Sequence, residues 1–253
     1  MLGSIKKLKC YQSLRKRRIQ KRLRQWSAED ERLLKFYGQF VKSGDLCFDI
    51  GANLGTRTKV FRKLGATVVA VEPQPYCQSI LKSLYGDDSH VHLVEQAVGR
   101  EPGTATLHAG ESHVLSTLNP DWIAAMKESK RFGDTAWAGE IEVPLTTFDL
   151  LAETYGLPAF TKIDVEGYEL EVLQGATSSI QCLSLEFAPE FLDQMIVCIK
   201  HLESLGDYRF NLAMGEPDKM KLAEWVGIDE IIHVLSTLKG DHSMFGDVYA
   251  RVR

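Results

Sequence analysis

Residues 46–55, Leu46-Cys47-Phe48-Asp49-Ile50-Gly51-Ala52-Asn53-Leu54-Gly55, constrain the fold more than any other stretch of the 253-residue chain. An apolar run that breaks into glycines just before a helical pattern reads as a buried strand turning over a ligand. Asp49 stands where that strand ends. Gly51 and Gly55 let backbone approach closely, because neither carries a Cβ, and Asn53 adds a polar side chain to the turn. Thr58, Val60, Phe61 and Leu64 then begin a helix whose first amides point back at the same place and favour a carboxylate or other anion.

Seventeen residues past Gly55, a Val-rich strand, Thr67-Val68-Val69-Ala70-Val71-Glu72-Pro73, ends on an acid. In a doubly wound sheet such an acid accepts hydrogen bonds from both hydroxyls of a ribose, so the ligand reads as a nucleoside. The dinucleotide fingerprint G-x-G-x-x-G is not met, since Asn53 stands at its second glycine and Thr56 at its third. Asp49 beside the turn repels a pyrophosphate and suits the ammonium group of an amino acid. A nucleoside that carries an amino acid and no phosphate is S-adenosylmethionine.

Five segments in order resemble the FkbM family of class I methyltransferases: residues 48–55, Val71-Glu72-Pro73, Glu95-Gln96-Ala97-Val98-Gly99, Lys162-Ile163-Asp164-Val165-Glu166-Gly167-Tyr168-Glu169, and Leu185-Glu186-Phe187. The resemblance spans about residues 40–190. It implies an α/β, Rossmann-like fold: a seven-stranded, mostly parallel sheet in the order 3-2-1-4-5-7-6, with helices on both faces. It also implies S-adenosylmethionine as cofactor, bound by Asp49, Gly51, Asn53, Gly55, Glu72, Gln96 and Ala97, the last two at the adenine. The implied acceptor is a hydroxyl of a sugar, glycolipid or other natural product.

The candidate catalytic residues are Asp164, Glu166 and Glu186. Ligands of open α/β sheets bind outside the carboxyl ends of the strands, so Asp164 is expected to face the same space as Asp49. Three acids on one rim permit two readings: a general base with substrate hydrogen bonds, or a divalent metal held by oxygens. With no His or Asn to complete an evident metal set, the metal-free reading is taken. Methyl transfer from a sulfonium is an in-line displacement that needs an aligned acceptor, and an alcohol acceptor needs a base. Asp164 is the first choice for that base and Glu166 the second, although either could instead cap the helix that opens near Tyr168 and Glu169.

Charge is unevenly placed. Residues 1–26 hold ten Lys or Arg and no acid, while the remainder holds 20 basic and 34 acidic residues, so a formal charge of −4 joins a +10 arm to a −14 domain. The expected division is therefore a basic helical arm, 1–26, and a methyltransferase domain, 27–253. Leu8, Leu14, Ile19, Leu23 and Trp26 are spaced to give the arm an apolar stripe. The arm reads first as a helix lying on the acidic domain and second as a contact for an anionic membrane surface. Nucleic acid is the least favoured partner, since only Tyr11 and Trp26 could stack on bases there.

Five cysteines without C-x-x-C spacing suit a reducing compartment, and no apolar run approaches the eighteen residues of a membrane span. The implied location is cytoplasmic, with the arm as a means of peripheral membrane attachment. Helices are expected over 28–43, 75–84, 189–205 and 215–240, and further strands over 90–94, 208–212 and 246–252. Residues 99–148 depart from that alternation: 104–108 and 140–145 alternate like hairpin or edge strands. Between them lie His113, Trp122, Met126, Phe132 and Trp137, as in a lid over an acceptor pocket. Two other functions stay open on sequence alone. A nicotinamide-dependent oxidoreductase is opposed by Asp49 and the missing glycines, and a binding module without chemistry by the intact acids.

Overall fold

The computed structural model describes residues 16–240 and 244–253. In chain order the elements are α1 (16–24), α2 (Ala28–Tyr37), β1 (Leu46–Ile50), α3 (Thr56–Leu64), β2 (Thr67–Val71), α4 (Pro75–Tyr85), β3 (Val91–Val94) and β4 (Ala97–Val98). There follow β5 (Gly103–Gly110), α5 (Pro120–Ser129), β6 (Trp137–Thr146), α6 (Phe148–Tyr155), β7 (Phe160–Ile163) and α7 (Glu169–Gln174). The chain closes with β8 (Cys182–Phe187), α8 (Leu192–Leu205), β9 (Tyr208–Met214), α9 (Ile228–Thr237) and β10 (Gly246–Val252).

Seven strands form one sheet in the order β3-β2-β1-β7-β8-β10-β9, which is the expected 3-2-1-4-5-7-6 in sheet numbering. Only β10 runs antiparallel to its neighbours β8 and β9. This is the class I methyltransferase architecture. Central strands covered on both faces must be apolar on both, and β1, β2 and β7 are buried along nearly their whole length. One face packs on α2, α3 and α4 through residues such as Leu33, Phe36, Phe61 and Leu81. The other packs on α6 to α9 through Leu151, Leu173, Ile199 and Leu235.

The helix expected over 28–43 opens with a capping box at Ser27 but stops at Tyr37, where Gly38 takes over the last carbonyls. Phe40, beyond the helix, still stacks on Phe160 and Tyr249 at 5.3 and 5.2 Å, so the apolar pattern there reports burial by a turn. Of the helix expected over 215–240, only Ile228–Thr237 forms. The preceding loop is held instead by Asn211, whose amide donates to the carbonyls of Leu222 and Glu224. Residues 97–146 build a second, three-stranded sheet, β4-β6-β5. The expected hairpin strands lie in it as β5 and β6.

The described part of the arm is α1, which lies on α4. Ile19 and Leu23 pack on the cluster formed by Leu54, Cys77 and Ile80, Gln20 donates to the Ser83 hydroxyl at 2.6 Å, and Arg24 donates to its carbonyl at 2.9 Å. Leu8, Tyr11 and Leu14 lie outside the described residues. No helix among the described residues is long and apolar enough to cross a membrane.

Candidate active site

Strand register assembles the site. Ile50 pairs with Val71 and with Ile163, and Ile163 pairs with Leu185. The residues immediately beyond, Glu72, Gly51, Asp164 and Glu186, therefore stand in a row across the carboxyl edge of the sheet, and Asp247 of β10 lies opposite Glu186. The row can close up because residue 51 is glycine. A Cβ there would stand 1.8 Å from the Asp164 carbonyl oxygen, on a backbone whose φ of +82° disfavours any other residue.

A cavity of about 420 Å³ opens over this edge. Asp49, Gly51, Asn53, Glu72, Ala97, Asp164, Glu166 and Glu186 line it. Gly55 and Gln96 are not among the lining residues. The α-carbon of Gly55 is pressed against Leu81 and Tyr85 of α4, where a Cβ would stand within 2.8 Å of either side chain. Glu72 is buried and accepts the backbone N–H of Asn53 at 2.8 Å on one oxygen and that of Gln74 at 2.7 Å on the other. Burial raises its pKa to about 7 against these bonds. Each oxygen keeps a lone pair for a further donor such as a ribose hydroxyl. Asp49 accepts the Thr58 hydroxyl at 2.5 Å, and burial raises its pKa too. Helix α3 begins at Gly55 with no side-chain cap and no acid in its first turn, which leaves its amides to a ligand.

The insertion is latched over this cavity. Gln74 donates to the carbonyl of His113 at 2.9 Å and accepts the Ser116 hydroxyl at 2.9 Å, while the Asn53 amide reaches the same His113 carbonyl at 3.3 Å. His113 thereby enters the lining.

Lys162 is buried beneath the row, level with Asp49 on β1. Its ammonium lies 3.2 Å from Asp164 and 2.8 Å from Asp247. Burial pushes the Asp164 carboxyl up, but Lys162, a hydrogen bond from Glu186 and the Arg57 charge outweigh it and hold Asp164 below its ordinary value. Glu166 and Glu186 go the other way: burial and the Asp164 charge lift both well above the carboxylate range. The cluster therefore sets one carboxyl that is held down, Asp164, beside two that are pushed up, Glu166 and Glu186. One oxygen from each of the three can lie within 4.8 Å of the others, so the group also has the proximity to hold a cation.

The loop after β7 turns sharply at Glu166, φ +54°, and Gly167, where a Cβ would stand 2.4 Å from Trp122. Glu169 braces it by accepting the amides of Val165 and Gly167, both at 3.2 Å, and burial raises Glu169 to about 7. Neither Asp164 nor Glu166 caps α7, which opens after Tyr168 with no side-chain cap. From the insertion, Thr117 donates to the Glu166 carbonyl at 2.6 Å and Asn119 to that of Gly167 at 2.7 Å. A second cavity, of about 410 Å³, adjoins the first at Glu166 and Glu186. Its walls are apolar, with Trp122, Met126, Phe132, Phe191 and Phe245 among them.

The sequence profile of the methyltransferase FkbM domain matches residues 49–206, more than half of the chain. The chain belongs to the FkbM methyltransferase family. The chain thus carries a methyltransferase FkbM domain over that span. The hexuronic acid methyltransferase AglP of Haloferax volcanii is 30% identical over 149 residues, a match that covers 57% of this chain and 55% of that protein. Among solved structures, the precorrin-6y C5,15-methyltransferase of Geobacter metallireducens is 14% identical with a TM-score of 0.45, over 88% of this chain and 87% of that one. A SAM-dependent O-methyltransferase of Thermotoga maritima is 12% identical with a TM-score of 0.42, over 87% and 64%.

Several residues that shape this FkbM site were not singled out from sequence. Lys162 and Asp247 carried a signal, since each is a charge inside an otherwise buried strand pattern, and such a charge needs a partner. Gln74, Arg57 and Glu169 carried none beyond nearness to the matched segments.

Proposed function

We propose that this FkbM protein transfers a methyl group from S-adenosylmethionine to a hydroxyl of a sugar, glycolipid or other natural product. The observation that supports the reading is the acid cluster of Asp164, Glu166 and Glu186: all three line the polar cavity, Glu166 and Glu186 also line the apolar one, and the Lys162 ammonium lies 3.2 Å from Asp164. The polar cavity fits the cofactor: Asp49 answers an ammonium, Glu72 a ribose and the free start of α3 a carboxylate, and Gly51 lets the strand ends that carry these groups close up. The cofactor, once bound, supplies an electrophilic methyl on a cationic sulfur. The apolar cavity offers Trp122 and Phe132 to the carbon face of an acceptor and opens at Glu166 and Glu186, beyond which Asp164 lines the polar cavity.

As the acceptor oxygen bonds to the methyl carbon, the bond to sulfur breaks with its electron pair left on sulfur, and the hydroxyl proton passes to Asp164. Glu186, donating to Asp164, and Lys162 orient that carboxylate. Glu166, whose pKa burial and the Asp164 charge push up, lines both cavities and can hydrogen-bond the acceptor. Lys162 already supplies a cation to the cluster, and on this reading no metal is required.

The relation to a hexuronic acid methyltransferase supports a sugar acceptor. The test is transfer of a labelled methyl from S-adenosylmethionine into a panel of sugars, glycosides and glycolipids, followed by mass analysis of the product. An alkali-stable methyl ether is expected; an alkali-labile methyl ester, or a methyl on nitrogen, would contradict the hydroxyl assignment.

A further inference from the structure

The cofactor cavity is crowded with acids. Asp49, Glu72, Asp164, Glu166, Glu186, Glu29 and Glu216 all line it. The amino-acid end of S-adenosylmethionine brings a carboxylate as well as an ammonium, and among these acids that carboxylate needs a cation. The cations among the described lining residues are Lys162, Arg57 and Arg22. Lys162 is taken by Asp164 and Asp247. Arg57 sits on the first turn of α3, part-buried, with its Nη2 2.7 Å from the half-exposed Glu216 and its Nε buried without a partner. Arg22 comes from the arm. Its helix is fastened to α4 through Ile19, Gln20, Leu23 and Arg24, which leaves Arg22 exposed and on the cavity. A second anchor holds the end of the arm to α3: Lys59 donates to the carbonyl of Gln25 at 2.6 Å and pairs with Asp30 at 2.7 Å.

We propose that the basic arm is a wall of the cofactor site, in which Arg22 of α1 and Arg57 of α3 hold the carboxylate of the bound amino acid while Asp49 holds its ammonium. This rests on the adenosylmethionine reading above. Glu216 pairs with the Arg57 guanidinium, and the end of this exposed glutamate is readily displaced by a ligand carboxylate that is already positioned by its nucleoside. The arm thereby gains a role that its +10 charge alone does not specify: one of its ten cations is placed by helix packing to read a single carboxylate.

The test is calorimetric titration of the full chain, and of its Arg22→Gln and Arg18→Gln variants, with S-adenosylhomocysteine and with 5′-methylthioadenosine. The second ligand keeps the nucleoside and thioether and lacks the amino acid. Arg18 is exposed on the same helix and does not line the cavity, so its variant controls for loss of charge. Arg22→Gln is expected to weaken S-adenosylhomocysteine about tenfold, the scale of one charge-assisted hydrogen bond, and to leave methylthioadenosine within about twofold. Arg18→Gln is expected to change neither. Unchanged S-adenosylhomocysteine binding in Arg22→Gln, equal losses for both ligands, or an equal effect of Arg18→Gln would overturn the clamp and leave the cofactor reading standing. Failure of the intact, folded chain to bind either ligand would overturn the cofactor reading and the clamp with it.

Discussion

The polar cavity and the apolar cavity meet at Glu166 and Glu186 but are walled by different kinds of chain. In the polar one, the key contacts come from turns that directly follow strands: Glu72 is gripped by Asn53 and Gln74, and Asp49 by Thr58 nine residues on. Much of that wall is backbone. In the apolar one, the walls come from four remote segments, around residues 114–132, 166–169, 186–198 and 245, brought together by side-chain packing. Trp122 fits against the β7 loop only because Gly167 lacks a Cβ. The polar cavity is thus built mainly on the strand ends, while the other is closed by packing of the insertion against the β7 loop, the end of β8 and α8.

The largest expected effect tests where the two cavities meet. Asp164→Asn is expected to lower turnover by about 100-fold or more, the scale of a lost general base, while S-adenosylhomocysteine affinity stays within about threefold. Equal turnover would remove Asp164 as the base. Next, Trp122→Ala is expected to cost about 3–5 kcal/mol of stability by opening a void under the insertion, read from the urea midpoint, with cofactor affinity preserved in the folded fraction. A large loss of cofactor binding there would show that the two walls are one unit.

The smallest effect concerns the braces of the loops. Burial raises Glu169 to about 7 in the folded protein, against an ordinary value of 4.5. Between those values the folded state holds a proton that the unfolded chain has released. The contribution of Glu169 is therefore most favourable below pH 4.5 and falls as pH rises to 7, by about 3 kcal/mol. Glu169→Gln, which keeps an acceptor for the two amides, is expected to remove that share of the decline when stability is measured across this range. A pH dependence identical to that of the parent protein would mean that Glu169 ionises freely in the fold.

The same contrast explains what could be read from sequence. The sheet and the row of acids at its edge follow from buried strands that each run into an acid near the carboxyl end, so Glu72, Asp164 and Glu186 were visible as candidates. Gly55 looked like a ligand contact because a glycine near a turn carries no mark of which neighbour it admits; here it admits Leu81 and Tyr85. The loop brace from Glu169 was hidden among several acids, and which of them turns inward depends on the left-handed step at Glu166 and Gly167. The second sheet and the apolar cavity were visible only as alternating strands and scattered aromatic residues, since their partners lie far apart along the chain. Helix 215–240 failed for a related reason: the polar side chain of Asn211, on a neighbouring strand, claims the backbone of that loop.

The central claim is that the polar cavity binds adenosylmethionine through Glu72. Calorimetric titration of the intact chain with S-adenosylhomocysteine, beside a Glu72→Ala variant shown to be folded, tests it most directly. The expected result is saturable one-to-one binding by the intact chain and a loss of at least about tenfold in the variant, since the hydrogen bonds from the ribose to a charged acceptor go with the carboxylate. Equal affinity in the two proteins, or no binding by the intact chain, would contradict it.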